Sequence, residues 1–198
     1  GMGSASIRHD LNPSASNCFP SDARVLLADG SQITMDRLSV GDHVRVKGNK
    51  YERIIAFSHA SSQEPIIMVE LTTSTGDILT LSRGHHILTS LGKLTAAGDI
   101  RIGDMVVQSS SGNSSMVVSK RDIQKQGLYA PHTESGFLTV DNIVCSCYTT
   151  AFDPVWAHRF MTVAAKLVNH LPLATSVSSF LSFSSNVYNV ASTILCPY

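Results

Sequence analysis

Two stretches of this chain echo one another at a separation of 62 residues, and that echo narrows the available folds more than any other feature. Arg37-Leu38-Ser39-Val40-Gly41-Asp42-His43-Val44 and Asp99-Ile100-Arg101-Ile102-Gly103-Asp104-Met105-Val106 follow one plan. Each has an apolar residue, a polar one, a β-branched one, Gly-Asp, a variable residue and Val. Gly-Asp before a strand is a turn signal with a mechanism: glycine supplies unusual φ, and the Asp carboxylate bonds nearby backbone amides. Two copies predict two pseudosymmetric halves. The surroundings are β-like. RVLLA (24–28) meets a turn at Asp29-Gly30, and HVRVK (43–47) and YERIIAF (51–57) alternate around Gly48-Asn49. IIMVEL (66–71), DILTL (77–81), MVVQ (105–108), MVV (116–118) and FLTVDNIVCSCY (137–148) follow at short spacing. This pattern predicts an all-β domain of many short strands, with no helix of three turns before residue 150.

Composition sets the outer limits. The 198 residues are 43% hydrophobic and carry 15 basic and 15 acidic side chains, enough to bury a real core and without the basic excess of a nucleic-acid binder. No apolar run reaches the ~20 residues of a membrane-spanning helix. Four cysteines are too few for a disulfide-stapled scaffold. Residues 1–17 open on Gly-Met-Gly-Ser, which looks like an expression-tag remnant, and continue as an upstream linker. Packing is expected to begin at Cys18 and Phe19, giving a β domain over 18–150.

Residues 151–198 change character. Trp156, Phe160, Val163, Leu167 and Leu171 lie on one face of an amphipathic helix ending at Pro172. From 171 onward there is no charged side chain, while Val177, Phe180, Leu181, Phe183, Val187, Val190 and Ile194 supply apolar bulk. Two readings stand side by side: helices packed on the β domain, or a lipid-facing surface.

Chemistry concentrates at few residues. A thiol at Cys18, on the border of linker and strand, can attack the carbonyl of Asn17 and turn a peptide bond into a thioester. That step is uphill, so the amide must be strained or polarised and the leaving amine protonated, a task suited to histidine. Ser82-Arg83-Gly84-His85 follows a strand, so its hydroxyl can orient a backbone group while the imidazole reaches the amide. His86 is expected to point away from His85 as a structural residue. His43, His132, His158 and His170 read as packing or solvent-facing. Cys145 and Cys147 share one face of a strand. They lack the second pair of ligands that structural zinc needs, so no metal is expected, although Cys18, His85 and Cys147 could capture zinc opportunistically. Cys196 reads as a free thiol. Gly-x-Ser-x-Gly, P-loop and His-Glu-x-x-His patterns are missing, which leaves hydrolase, NTPase and zincin readings unsupported.

Cys18-Phe19-Pro20, Leu38-Ser39-Val40-Gly41-Asp42, Ser82-x-x-His85, Tyr129-Ala130-Pro131, Ser146-Cys147-Tyr148 and Trp156-Ala157-His158-Arg159 occur in this order. In that order they resemble the C-terminal autoprocessing domain of Hedgehog proteins, part of the Hint superfamily that includes inteins. The resemblance is close over 18–160 and looser in the tail. It implies a pseudo-twofold all-β Hint fold followed by a helical sterol-recognition region. It implies Cys18 as nucleophile, His85 as the group acting on the scissile amide with help from Ser82, and Cys147 as a redox partner able to pair with Cys18. The 3-hydroxyl of cholesterol then takes the acyl group, and no other cofactor is implied.

Three departures bear on the mechanism. Ser82 stands where the family has Thr, which keeps the hydroxyl but loosens its rotamer. Asn17 stands where the family has Gly. His59, in Phe57-Ser58-His59, stands where the family has the Asp assigned to activate the sterol hydroxyl. Neutral His is the stronger base but brings no negative charge. Either His59 serves as general base, or water or another nucleophile resolves the thioester. The expected activity is single-turnover release of an upstream protein as a sterol ester. Trp156, Phe160, Val163, Leu167, Phe180 and Val187 are the expected sterol-binding surface. A monomer working in the endoplasmic reticulum of the secretory pathway, and touching membrane through its tail, is expected. A rival from another class is an inactive β module that only binds lipid or a protein partner.

Overall fold

A computed structural model of the chain describes residues 18–48, 50–109 and 112–149. Eleven strands run in order: β1 (Arg24–Leu26), β2 (Gln32–Thr34), β3 (His43–Arg45), β4 (Tyr51–Thr73), β5 (Ile78–Leu81), β6 (His85–Leu88), β7 (Leu94–Ala96), β8 (Met105–Val107), β9 (Ser114–Thr133), β10 (Phe137–Val140) and β11 (Ile143–Thr149). Among the described residues the helical structure is one 3-10 turn, Met35–Arg37. The all-β expectation therefore holds. The helices expected over 151–198 lie outside the described residues, as does the linker 1–17.

The repeated motif builds the same turn twice. In the first half the Gly41 amide donates to Ile54 O at 2.8 Å, the Ile54 amide to Asp42 O at 2.8 Å, and the Ser39 amide to the Asp42 carboxylate at 2.8 Å. In the second, Gly103 donates to Val117 O, Val117 to Asp104 O and Arg101 to the Asp104 carboxylate, each again at 2.8 Å. Gly41 and Gly103 take φ of +104° and +98°, which a side chain would strain. The two halves also bury matching positions, Leu38 with Ile100 and Val44 with Val106, and expose Val40 and Ile102.

Each half delivers its turn to a long strand, and the two long strands pair with one another. β3 pairs with β4, β8 with β9, and β4 with β9 from Ile54↔Thr133 to Thr73↔Val117. The runs expected separately at 51–57 and 66–71 are thus one strand, and MVV (116–118) belongs to another of 20 residues. Continuity comes from cross-strand pairing, which sequence alternation does not report; the ladder absorbs the irregular stretches as register shifts. β5 adds to β4, while β10-β11-β6-β7 form a separate four-stranded sheet. One apolar core, including Val25, Met35, Ile54, Leu81, Ile87 and Ile143, fills the space between these layers.

The stretch expected as one strand over 137–148 is a hairpin. Asp141 and Asn142 take φ of +46° and +69°, the left-handed pair that a two-residue hairpin turn requires and that Asp and Asn tolerate best. The Asp141 carboxylate accepts from the Arg24 amide, and burial pushes its pKa up to about 7. Because its folded pKa is raised, this carboxyl favours the folded state most below pH 4, and that contribution is lost as pH rises towards 7. Asp141→Asn keeps the accepting oxygen and removes the titration. The variant is expected to be more stable than the parent by on the order of 2 kcal/mol at pH 8, and no more stable at pH 4. Thermal unfolding at both pH values checks this; an equal gap at both would assign the effect to turn propensity instead.

Candidate active site

The segment that begins at Cys18 is laid onto β9. Phe19 and Tyr129 exchange both backbone hydrogen bonds, at 2.8 and 3.0 Å, and the Ser21 amide donates to Gln126 O. This close approach needs Gly127, whose φ is +86° and whose added Cβ would fall 2.0 Å from Ser21 Oγ. Docking buries Cys18 completely and Phe19 to 1% exposure.

Ser82 then holds Cys18 from two sides. The Cys18 amide donates to Ser82 Oγ at 3.0 Å, and the Ser82 amide donates to Cys18 O at 3.0 Å. The nitrogen of the bond preceding Cys18 thus donates to a hydroxyl. The same turn carries His85, whose amide donates to Ser82 O at 3.1 Å. Residues 82–84 form the passage from β5, paired with β4, to β6, paired with β11, so the site sits on the seam between two sheets.

The His85 ring is fixed by two contacts. Its centroid lies 4.2 Å from that of Phe19, and Nε2 is 2.7 Å from Ser146 O. A carbonyl only accepts, so Nε2 carries a proton, and Nδ1 is the nitrogen able to take or give one. Ser146 lies in the stretch between Cys145 and Thr149 where the β6–β11 register shifts. Sequence reasoning placed Ser146 in a motif but missed the contact its carbonyl makes, because a main-chain oxygen has no residue signature. His86, next along β6, is buried as expected of a structural residue, and His43 is exposed.

His59 reaches the neighbourhood of Cys18 through register. It pairs with Ala130 on β9, while Ala60 pairs with Tyr129, the residue that bridges Phe19. Cys18, Ala130 and His59 thus lie in adjoining rows across three neighbouring chain segments, and Cys18 and Ala130 share one packed cluster with Met68 and Leu128. Two strand spacings put the backbones of Cys18 and His59 roughly 10 Å apart, with only a methyl side chain on the strand between. Nε2 of His59 is shielded from solvent and makes no hydrogen bond among the described residues.

Cys147 belongs to a different packed cluster from Cys18. Its sulfur lies 3.7 Å from Thr133 Oγ1, and burial pushes its pKa up to about 11. Burial also raises Cys145. Cys147 carries a thiol rather than a disulfide sulfur, so the pairing with Cys18 that the resemblance implies is not formed in this structure. Asn17, the tail residues Trp156, Phe160, Val163, Leu167, Phe180 and Val187, and His158, His170 and Cys196 lie outside the described residues.

Residues 10–193 match the profile of a family described as Hint module. The chain is 29% identical over 160 residues to Warthog protein 1 of Caenorhabditis elegans, covering 76% of this chain and 33% of that protein. It is 32% identical over 157 residues to Sonic hedgehog protein of Danio rerio, covering 71% of this chain and 38% of that one. It therefore spans about a third of the length of these relatives. Among solved structures, the gp41-1 intein superposes with a TM-score of 0.56 at 14% identity, over 65% of this chain and 97% of that one. An intein-like domain from Clostridium thermocellum gives 0.57 at 16% identity, over 66% and 98%. These structural likenesses speak for the fold.

Proposed function

The chain belongs to the Hint module family, and on that premise we propose that it is a self-cleaving domain that acts once, on its own chain. Cys18 Sγ attacks the Asn17 carbonyl; the S–C bond forms as the C–N bond breaks. Nδ1 of His85 takes the Cys18 thiol proton and passes it to the leaving Cys18 amine. A sterol hydroxyl then attacks the thioester. Its O–C bond forms, the C–S bond breaks, its proton passes to His59, and His59 returns that proton to the Cys18 thiolate. The upstream segment leaves as a sterol ester.

One observation carries this reading: the Cys18 amide, nitrogen of the bond to be broken, rests on Ser82 Oγ at 3.0 Å within the turn that delivers His85. Complete burial of Cys18 supports it further, because a thioester shielded from water survives until its acceptor arrives. Likeness to hedgehog proteins supports a sterol as acceptor, residues 151–198 as the part that presents it at a membrane, and the secretory pathway as the place. Cys147 belongs to this reading as a redox partner of Cys18.

His59 favours a second outcome, resolution by water or another nucleophile, because an imidazole replaces the carboxylate of related domains. The full chain incubated with dithiothreitol is expected to release the peptide upstream of Cys18. With cholesterol that peptide should gain the mass of the sterol less one water. Release as the free acid in both conditions would favour hydrolysis. No release by dithiothreitol or hydroxylamine would leave only the inactive binding module.

A further inference from the structure

Of the four register shifts in the pairing of β4 with β9, the one between Phe57 and His59 directly precedes the histidine of the candidate chemistry. Phe57 pairs with Pro131, yet His59 pairs with Ala130, so Ser58 is an extra residue on β4. Continued without that shift, the Phe57↔Pro131 register would set Ser58 opposite Ala130 and His59 opposite Tyr129. A one-residue slip in a strand moves a side chain to the other face, and Tyr129 packs into the main core rather than with Cys18. The bulge is therefore what brings His59 into the rows of Cys18 and Ala130.

Two residues explain its location. Pro131 lacks an amide proton, so the ladder cannot be regular opposite Phe57, and prolines within sheets gather at bulges. His132, next to it, supplies what the ladder lost: its Nε2 and Ser58 Oγ share a hydrogen bond of 2.9 Å. His132 is 5% exposed, and burial lowers its pKa to about 4, so it stays neutral and keeps this contact across the physiological range. The extra residue of the bulge on β4 is thus tied by its side chain to β9, the strand opposite.

We infer that Ser58 and His132 are positioning residues for acyl transfer: their hydrogen bond pins the bulge and so holds His59 towards the acceptor of the Cys18 thioester. This rests on the function proposed above, and deepens it by assigning a task to a histidine outside the chemistry itself.

The test separates the two steps in the full chain. Thiolysis by dithiothreitol reports thioester formation, and release by cholesterol or water reports the acceptor step. Ser58→Ala removes an exposed hydroxyl and should leave thiolysis within about 2-fold, while slowing the acceptor step roughly 10- to 100-fold, the scale of a displaced catalytic group. Ser58→Thr keeps the hydroxyl and should restore it. His132→Leu should match Ser58→Ala. In a His59→Ala background, Ser58→Ala should cost nothing more, because both act through one imidazole. Acceptor steps at the parent rate in Ser58→Ala, or an equal loss with and without His59, would overturn the inference while leaving the thioester reading intact. Failure of the parent chain to undergo thiolysis would remove both.

Discussion

His85→Ala is expected to slow thioester formation by about 10²- to 10⁴-fold, the usual worth of a positioned proton donor. The reason lies in how the ring is held. Nε2 is committed to Ser146 O at 2.7 Å and the ring lies beside Phe19, so in the proposed reaction Nδ1 is the nitrogen that would serve the Cys18 amine. Opening an amide from within a buried site without a proton for the leaving nitrogen would expel an amide anion. Dithiothreitol-dependent release of the upstream peptide measures the step. Alanine also vacates a side chain that is 1% exposed, so His85→Gln serves as companion. Gln can still donate to Ser146 O but shuttles no proton near neutrality, and should be as slow as Ala in a folded chain. Parent rates in either variant would place the proton donor elsewhere.

His59→Ala is expected to divide the reaction at its midpoint. Thiolysis should proceed within about 2-fold of the parent, while sterol-dependent release falls by about 10²-fold or more. In the proposed reaction the first step draws on the Ser82–His85 turn, and the hydrogen bonds of that turn with Cys18 do not involve His59. The second needs a base for the acceptor hydroxyl, and His59 Nε2, shielded and without a hydrogen bond among the described residues, stands in register with Ala130 beside Cys18. His59→Asp puts back the residue that related domains carry, and should recover sterol transfer. Mass analysis of the released peptide distinguishes ester from acid. Undiminished ester in His59→Ala would remove His59 from the mechanism.

The grouping of the candidate site was partly legible in the sequence. Cys18, Ser82 and His85 were singled out because an acyl shift calls for a thiol, a hydroxyl and an imidazole, and the structure brings the three residues onto one turn and the segment docked beside it. The twofold plan was readable because each Gly-Asp turn is closed by its own carboxylate. Other features were not. The Asp141-Asn142 hairpin passed for continuous strand, since alternation persists on both sides of a two-residue turn. The long β4 and β9 read as several short strands because pairing, not propensity, makes them continuous. His132 read as an ordinary packing histidine, although Pro131 beside it, inside a strand, was the available sign of a bulge.

What the sequence determined by itself was local: a β domain in two similar halves, a thiol at its entrance, and a hydroxyl three residues ahead of a histidine. These depend on side-chain chemistry and on turns closed within a few residues, so neighbouring positions suffice to state them. Tertiary structure alone decided the rest: that the Cys18 amide meets Ser82 Oγ across 64 residues of chain, that the Ser146 carbonyl engages Nε2 of His85, and that a register shift sets His59 opposite Ala130. Each of these depends on the register of strands remote in sequence, and a single step of register changes which side chains share a face.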